Sequence, residues 1–182
     1  FPIEQIECID LNIDTLNIDD VSQLESNSAL FVIHNIGGIT NIPDIKRKRP
    51  DLLIFEDNAE GYLGSYEGKP TGSEGIASTL SFNMNKNFTS GQGGAFCTND
   101  DELFNYISSY TRHGFTGQKF HYKMIGNNYR MSNVSAAILL SQIEQEEEIL
   151  KKKKKSYQLY KELLSNEQKI RIQRTYDNTI SS

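Results

Sequence analysis

Lys86 stands in the run Ser81-Phe82-Asn83-Met84-Asn85-Lys86-Asn87-Phe88-Thr89-Ser90-Gly91-Gln92-Gly93-Gly94, after a strand-like segment and before a glycine-rich turn. Upstream, Asp57 ends the apolar run Leu52-Leu53-Ile54-Phe55-Glu56-Asp57. An amine and a carboxylate at two strand ends suit a specific chemistry. The amine can form a Schiff base with an aldehyde cofactor such as pyridoxal phosphate. The carboxylate can keep a pyridine nitrogen protonated. Each residue alone is a weak signal, since a lone lysine is most often a surface charge. Their placement in the pattern of elements gives them weight.

The apolar runs Leu30-Phe31-Val32-Ile33 and Leu52-Leu53-Ile54-Phe55 read as strands buried on both faces. Ile42 to Arg49, with a basic end and Pro50 behind it, reads as a short helix. Thr79 to Phe82 and Ala95 to Thr98 read as strands flanking the lysine turn, and Asp101 to Tyr110 as a helix. Ile3 to Ile9 reads as a strand ending at Asp10, and 19 to 27 as a short helix capped by Asp19 or Asp20. Residues 61 to 76, with five glycines and a proline, read as loop. Apolar strands alternating with helices imply an α/β fold with a largely parallel sheet. Ligands in such sheets bind beyond the carboxyl ends of the strands, where His34, Asp57 and the approach to Lys86 all fall.

From Ser132 or Asn133, as cap, to about Leu164 the pattern is helical. Ala136, Ile143, Leu150, Tyr157 and Leu164 recur every seven residues, but the stripe thins in the middle. That suits a helix linking two domains. Glu147 and Glu148 precede Lys151 and Lys152 by one helical turn, the favourable order for ion pairs. The lysines at 151 to 155 read as a solvated helix face beside acidic neighbours. A polar tail follows, with one strand expected at Ile170-Arg171-Ile172.

The chain has 182 residues, with 37% apolar content and a net charge of −5. That length can bury a real core. The acidic balance argues against a nucleic-acid partner. No apolar run approaches the roughly 20 residues of a membrane span. The start, Phe1-Pro2-Ile3-Glu4, lacks the basic and apolar regions of a signal peptide, and it lacks an initiator Met, as in a fragment or a processed chain. Cys8 and Cys97 sit outside any CxxC motif and read as buried, reduced thiols of a cytoplasmic protein. His34, His113 and His121 show no metal-ligand spacing. Walker and Rossmann fingerprints are absent from the glycine-rich turn.

The motifs together resemble a known family. Phe55-Glu56-Asp57-Asn58-Ala59-Glu60, the glycines 61, 64, 68, 72 and 75, Ser81-Phe82, Lys86, Thr89 and Gly91 to Gly94 resemble the DegT/DnrJ/EryC1/StrS sugar aminotransferases. Cys8-Ile9-Asp10 through Asn17-Ile18-Asp19, Ile33-His34-Asn35-Ile36-Gly37-Gly38, His113-Gly114 and Ile125-Gly126-Asn127-Asn128-Tyr129-Arg130-Met131-Ser132-Asn133 extend the resemblance over about residues 3 to 165. It implies a fold-type I pyridoxal phosphate-dependent transferase. Residues 1–131 would be part of the large domain, 132–164 a long linking helix, and 165–182 the start of a small domain. The family's N-terminal phosphate-gripping turn and most of its small domain lie outside the matched pattern.

The same resemblance implies the roles. Lys86 would bind the cofactor covalently and move the proton. Asp57 would pair with the pyridine nitrogen, and Ser81 would contact the phosphate. Asn128 would reach the cofactor phosphate of a neighbouring subunit in a homodimer. Glu60 takes a position beside the ring where many relatives carry Gln or His, and an acid there resembles the perosamine-synthase branch. The family's sugar 3-dehydratases carry His in place of this lysine. The implied reaction moves an amino group from a donor such as glutamate to a nucleotide-linked 4-keto-6-deoxy sugar, in polysaccharide biosynthesis. A truncated non-catalytic relative, a pyridoxal phosphate-dependent dehydratase and a plain phosphate-binding α/β module remain the alternatives.

Overall fold

A computed structural model describes residues 3–181. Strands β1 (Ala29–Ile33) and β2 (Leu53–Asp57) are parallel, with α1 (Ile42–Lys48) as their crossover. Asn41 caps α1 by accepting the Asp44 N–H at 3.1 Å. Pro43 sits in its first turn, where no N–H is needed. Lys46, Arg47 and Lys48 close its last turn, next to the negative end of the helix dipole. Strand β5 (Ala77–Ser81) adds parallel to β2, and β6 (Gly94–Thr98) adds antiparallel to β5. The sheet order is β1-β2-β5-β6. Helix α2 (Asp101–Tyr110) follows, capped by Asp100.

Register aligns Ile33 with Asp57 and Asp57 with Thr79. The carboxyl ends of the three parallel strands therefore share one edge. The loop 61–76 holds two short strands, β3 (Ser65–Tyr66) and β4 (Lys69–Pro70). Glu67 and Gly68 both have positive φ, 49° and 79°, as a tight type I′ hairpin turn requires. Strand β7 (Thr179–Ile180) pairs with β3. The tail also reaches back through the Gln173 side chain, which donates to Thr15 O in an N-terminal turn and to Asn35 O just after β1.

The main core lies on one face of the sheet, where Val32, Leu30 and Ile54 meet Ile42 and Ile45 of α1, together with Ile18 and Val21. Ile42 is 2% exposed. Ile42→Ala is expected to cost about 2–5 kcal/mol, read as a lowered urea midpoint at unchanged slope.

Several expectations are corrected. Strands β1 and β2 are buried on one face only: Phe31, Ile33 and Leu53 are half-exposed or more. Among the described residues no element covers that second face, where Phe31 and Phe55 stack with centroids 5.0 Å apart. Ile3–Gln5 is a single 3-10 turn followed by irregular chain, not a strand. Residues 19–27 form turns, not a helix: Ser22 N–H bonds the Asp20 carboxylate, a local bond that competes with helix. Residues 170–172 pair with no strand. Cys8 and Cys97 are exposed, Cys8 in irregular chain and Cys97 on edge strand β6.

The long helix is two helices, α3 (Asn133–Ile143) and α4 (Glu146–Leu163), broken at Gln145 with φ −109° and ψ 19°. Ser132 caps α3, as expected. The break suits the charges. Glu146, Glu147 and Glu148 would lie mid-helix in a continuous rod, whereas the break puts them in the first turn of α4, at the positive end of its dipole. Glu148 then pairs with Lys152 at 2.7 Å.

Candidate active site

The lysine turn is built from its neighbours inward. Phe88 is 1% exposed and anchors the turn in a second core cluster with Phe82 and Leu139 of α3. Tyr62 packs edge-on against both phenylalanines. The Phe82 carbonyl accepts from Ser90 N–H and the Thr89 hydroxyl. The Thr89 N–H bonds Gln142 of α3 at 2.9 Å. Asn87 donates to Tyr62 O and accepts from Lys153 of α4 at 2.6 Å. Gly93, with φ 111°, lets the chain return into β6. The turn is therefore held from below by aromatic packing and from the side by both helices.

That scaffold carries Lys86 into a cavity of about 200 Å³ at the strand-end edge. Glu60, Tyr62, Ser81, Asn85 and Asn87 share the lining, with Ile36 and Gly37 as one wall. The Lys86 side chain is 16% exposed, and its Nζ lies 3.3 Å from Glu60 Oε1. Glu60 Oε2 accepts the Ile36 N–H at 2.9 Å. The Ile36 N–H above all holds the Glu60 carboxyl below its ordinary range; burial opposes it, and the Lys86 ammonium adds to the lowering. Ile36 itself has φ 53° and ψ 37°, a left-handed conformation that is unfavourable for a β-branched residue.

Of the five residues singled out by sequence, Lys86, Glu60 and Ser81 meet at this cavity. Asp57 ends the adjacent strand. Its carboxylate accepts the Ala59 N–H at 3.1 Å, and its side chain is not part of the lining. Asn128 lies elsewhere, in a bridge with Arg112, and is exposed.

Sequence reasoning missed a second centre. The Glu56 carboxylate, 1% exposed, accepts His34 Nε2–H at 3.0 Å. It also accepts backbone N–H groups from Gly72, Glu74 and Gly75. His34 Nδ1 accepts the Thr40 N–H, which fixes the proton on Nε2. Burial pushes the Glu56 carboxyl up, but His34 and the Gly75 and Gly72 N–H groups outweigh it and hold the carboxyl below its ordinary range. This pair ties the glycine-rich loop to β1 and β2 beside Asp57. The signal was the strand parity: Ile54, Glu56 and Asn58 all face inward.

The sequence matches the DegT/DnrJ/EryC1/StrS aminotransferase family over residues 5–181. The chain belongs to that family. It is 36% identical to a GDP-perosamine synthase of Caulobacter vibrioides over 139 residues, 72% of this chain and 37% of the relative. It is 26% identical to a GDP-4-keto-6-deoxy-D-mannose 3-dehydratase of Yersinia pseudotuberculosis over 201 residues, 95% of this chain and 51% of the relative. Among solved structures it superposes on a DegT DnrJ EryC1 StrS aminotransferase from Brucella abortus with a TM-score of 0.82 at 25% identity, covering 95% of this chain and 50% of that one. The chain thus spans about half or less of the length of these relatives. Its fold is that of fold-type I aminotransferases, with a mostly parallel sheet and flanking helices.

Proposed function

We propose that this chain carries the catalytic lysine of a pyridoxal phosphate-dependent sugar aminotransferase. The reaction moves an amino group from an amino acid such as glutamate to a nucleotide-linked keto-sugar, with a 4-keto-6-deoxy sugar as the preferred acceptor. The observation that supports it is Lys86, held inside a cavity at the strand-end edge with Glu60 and Ser81 around it. This donor set fits the cofactor: an amine for the aldehyde, a hydroxyl for the phosphate and the Asp57 carboxylate on the next strand end for the pyridine nitrogen.

When bound, pyridoxal phosphate supplies an aldehyde that links to amines and a ring that takes up an electron pair. Lys86 Nζ would hold the cofactor through that aldehyde and, once free, would carry a proton as general base and acid. The Asp57 carboxylate at the next strand end would favour the protonated ring nitrogen by its charge. Ser81 Oγ, on the cavity lining, would donate to the phosphate. Tyr62 and the Ile36–Gly37 wall limit water on one side of the cavity.

The reading extends to a homodimer in which Asn128 serves the neighbouring subunit's site. Its exposure and its absence from the lining of this cavity support that role. It also extends to residues 132–164 as the connection to a small domain beginning at 165. A cytoplasmic setting and a place in polysaccharide biosynthesis complete the proposal. Two free, exposed thiols suit a reducing compartment. No helix among the described residues is long and apolar enough to cross a membrane.

The test is incubation of the full-length protein with glutamate and a nucleotide-linked 4-keto-6-deoxy sugar, with product mass as readout. Replacement of the carbonyl oxygen by an amino group is expected. Loss of the 3-hydroxyl instead would mark a dehydratase, and no reaction with any donor would favour a non-catalytic relative.

A further inference from the structure

Ile36 lines the cavity beside Glu60 and Lys86, in backbone with φ 53° and ψ 37°. That left-handed conformation is costly for a residue with a Cβ, and most of all for a β-branched one. Gly37, next in the chain, takes φ 77° freely. Neighbouring groups hold the strained turn from two sides. The Ile36 N–H is fixed to Glu60 Oε2 at 2.9 Å. The Asn35 carbonyl accepts the Gly38 N–H at 2.9 Å and the Gln173 side chain at 3.1 Å. His34, just before them, is buried in its bond to Glu56.

The strain does not bury the side chain. Ile36 is 67% exposed, whereas Ile39 and Ile42 shortly after it are 2% exposed. A lone exposed isoleucine is ordinary on a protein surface. One that is exposed, strained and part of a cavity lining is accounted for neither by packing nor by backbone preference, and such outliers cluster where ligands are held. Most of the lining is polar, with Glu60, Ser81, Asn85, Lys86 and Asn87. Tyr62 is committed to Phe82 and Phe88. Ile36 is the exposed aliphatic residue of this lining.

We infer that Ile36 is a specificity-determining residue, held in left-handed backbone to meet the C6 methyl group of a 6-deoxy keto-sugar. The inference rests on the aminotransferase reading above and names the part of the sugar that the cavity selects. A methyl group against an aliphatic side chain leaves water favourably. A C6 hydroxyl at the same place gives up hydration and finds no polar partner on Ile36.

The test uses the full-length wild type, Ile36→Asn and Ile36→Met. Asparagine tolerates left-handed backbone and removes the apolar group, whereas methionine loses the β-branch and stays apolar. Values of kcat/KM are measured for the 6-deoxy and 6-hydroxy forms of one nucleotide-linked 4-keto sugar, and urea midpoints for the cofactor-free proteins. The wild type is expected to prefer the 6-deoxy sugar by about tenfold, the lower end of what one apolar contact discriminates. Ile36→Asn should lose that preference and Ile36→Met should keep it. The urea midpoint of Ile36→Asn should rise, because the strain is relieved. A lower midpoint for Ile36→Asn would make Ile36 a packing residue and overturn the inference. So would an unchanged preference in Ile36→Asn, including an equal loss with both sugars, which would place Ile36 against the cofactor. Equal use of both sugars by the wild type would overturn the inference and leave the aminotransferase reading standing. Amination of neither sugar would refute that reading, and the inference with it.

Discussion

Lys86→Ala in the full-length protein is expected to abolish transamination, with kcat/KM falling by at least about 10⁴-fold. Loss of a general acid–base group alone typically costs up to about 10⁴. Here the same side chain would also hold the cofactor covalently, so the two losses compound. Glu60 and Ser81 would still line the cavity, and the aromatic anchors Phe82, Phe88 and Tyr62 do not depend on the lysine. The fold should therefore survive, with an unchanged urea midpoint within about 0.5 kcal/mol. Arginine cannot substitute, because its guanidinium stays charged at any working pH and forms no comparable link. Stopped-flow or coupled-assay kinetics beside a denaturation curve check both halves. Activity within tenfold of wild type would remove Lys86 from the chemistry.

Glu56→Ala is the second large effect, and it falls on stability. The carboxylate is the shared acceptor for His34 and for three backbone N–H groups of the glycine-rich loop. Removing it strands four donors, the fully buried His34 ring N–H among them. Each buried donor left without an acceptor costs about 1–3 kcal/mol, so the total loss is expected to exceed about 3 kcal/mol. That is a large share of the stability of a domain this size. Glu56→Gln should cost less, since one amide oxygen still accepts while the amide NH₂ faces N–H donors. The same pair sets an acid limit. The folded Glu56 carboxyl lies below its ordinary value of 4.5. Its contribution is therefore fully present above about pH 4.5 and is lost as pH falls through the lower folded value. Denaturation midpoints measured from neutral pH down into acid should show a steeper loss for the wild type than for Glu56→Gln.

The elements that read well from sequence were those whose local signals agreed. Helices α1 and α2 matched because cap, basic or acidic ends and stops all fell in register with the apolar pattern. The strand end at Asp57 was legible because a continuous apolar run stops there, whereas the strand read as Thr79 to Phe82 is Ala77–Ser81, a mixed segment with no apolar run to mark its ends. The apolar runs misled on one point. Phe31, Ile33 and Leu53 look like buried strand residues, yet no described element covers their side of the sheet. Apolar character alone cannot report whether a partner is present. The helix break at Gln145 was hidden by a seven-residue repeat that continues across it, while the local charges that decide it sit between the repeat positions. Glu56 was overlooked because Asp57 beside it carried the more familiar chemistry. Its role depends on loop residues 72–75 arriving from far along the chain. Asn128 was expected at a neighbouring subunit's cofactor, and within this chain it lies outside the lining of the cavity, in a bridge with Arg112.

The central claim is that the cavity at the strand-end edge presents Lys86 to an aldehyde cofactor. The most direct measurement is borohydride trapping of pyridoxal phosphate on this chain, followed by peptide mapping, with Lys86→Ala alongside. One reduced adduct on the Lys86 peptide, absent from the variant, is the expected result. Labelling spread over the lysines at 151 to 155 and equal in both proteins would contradict it.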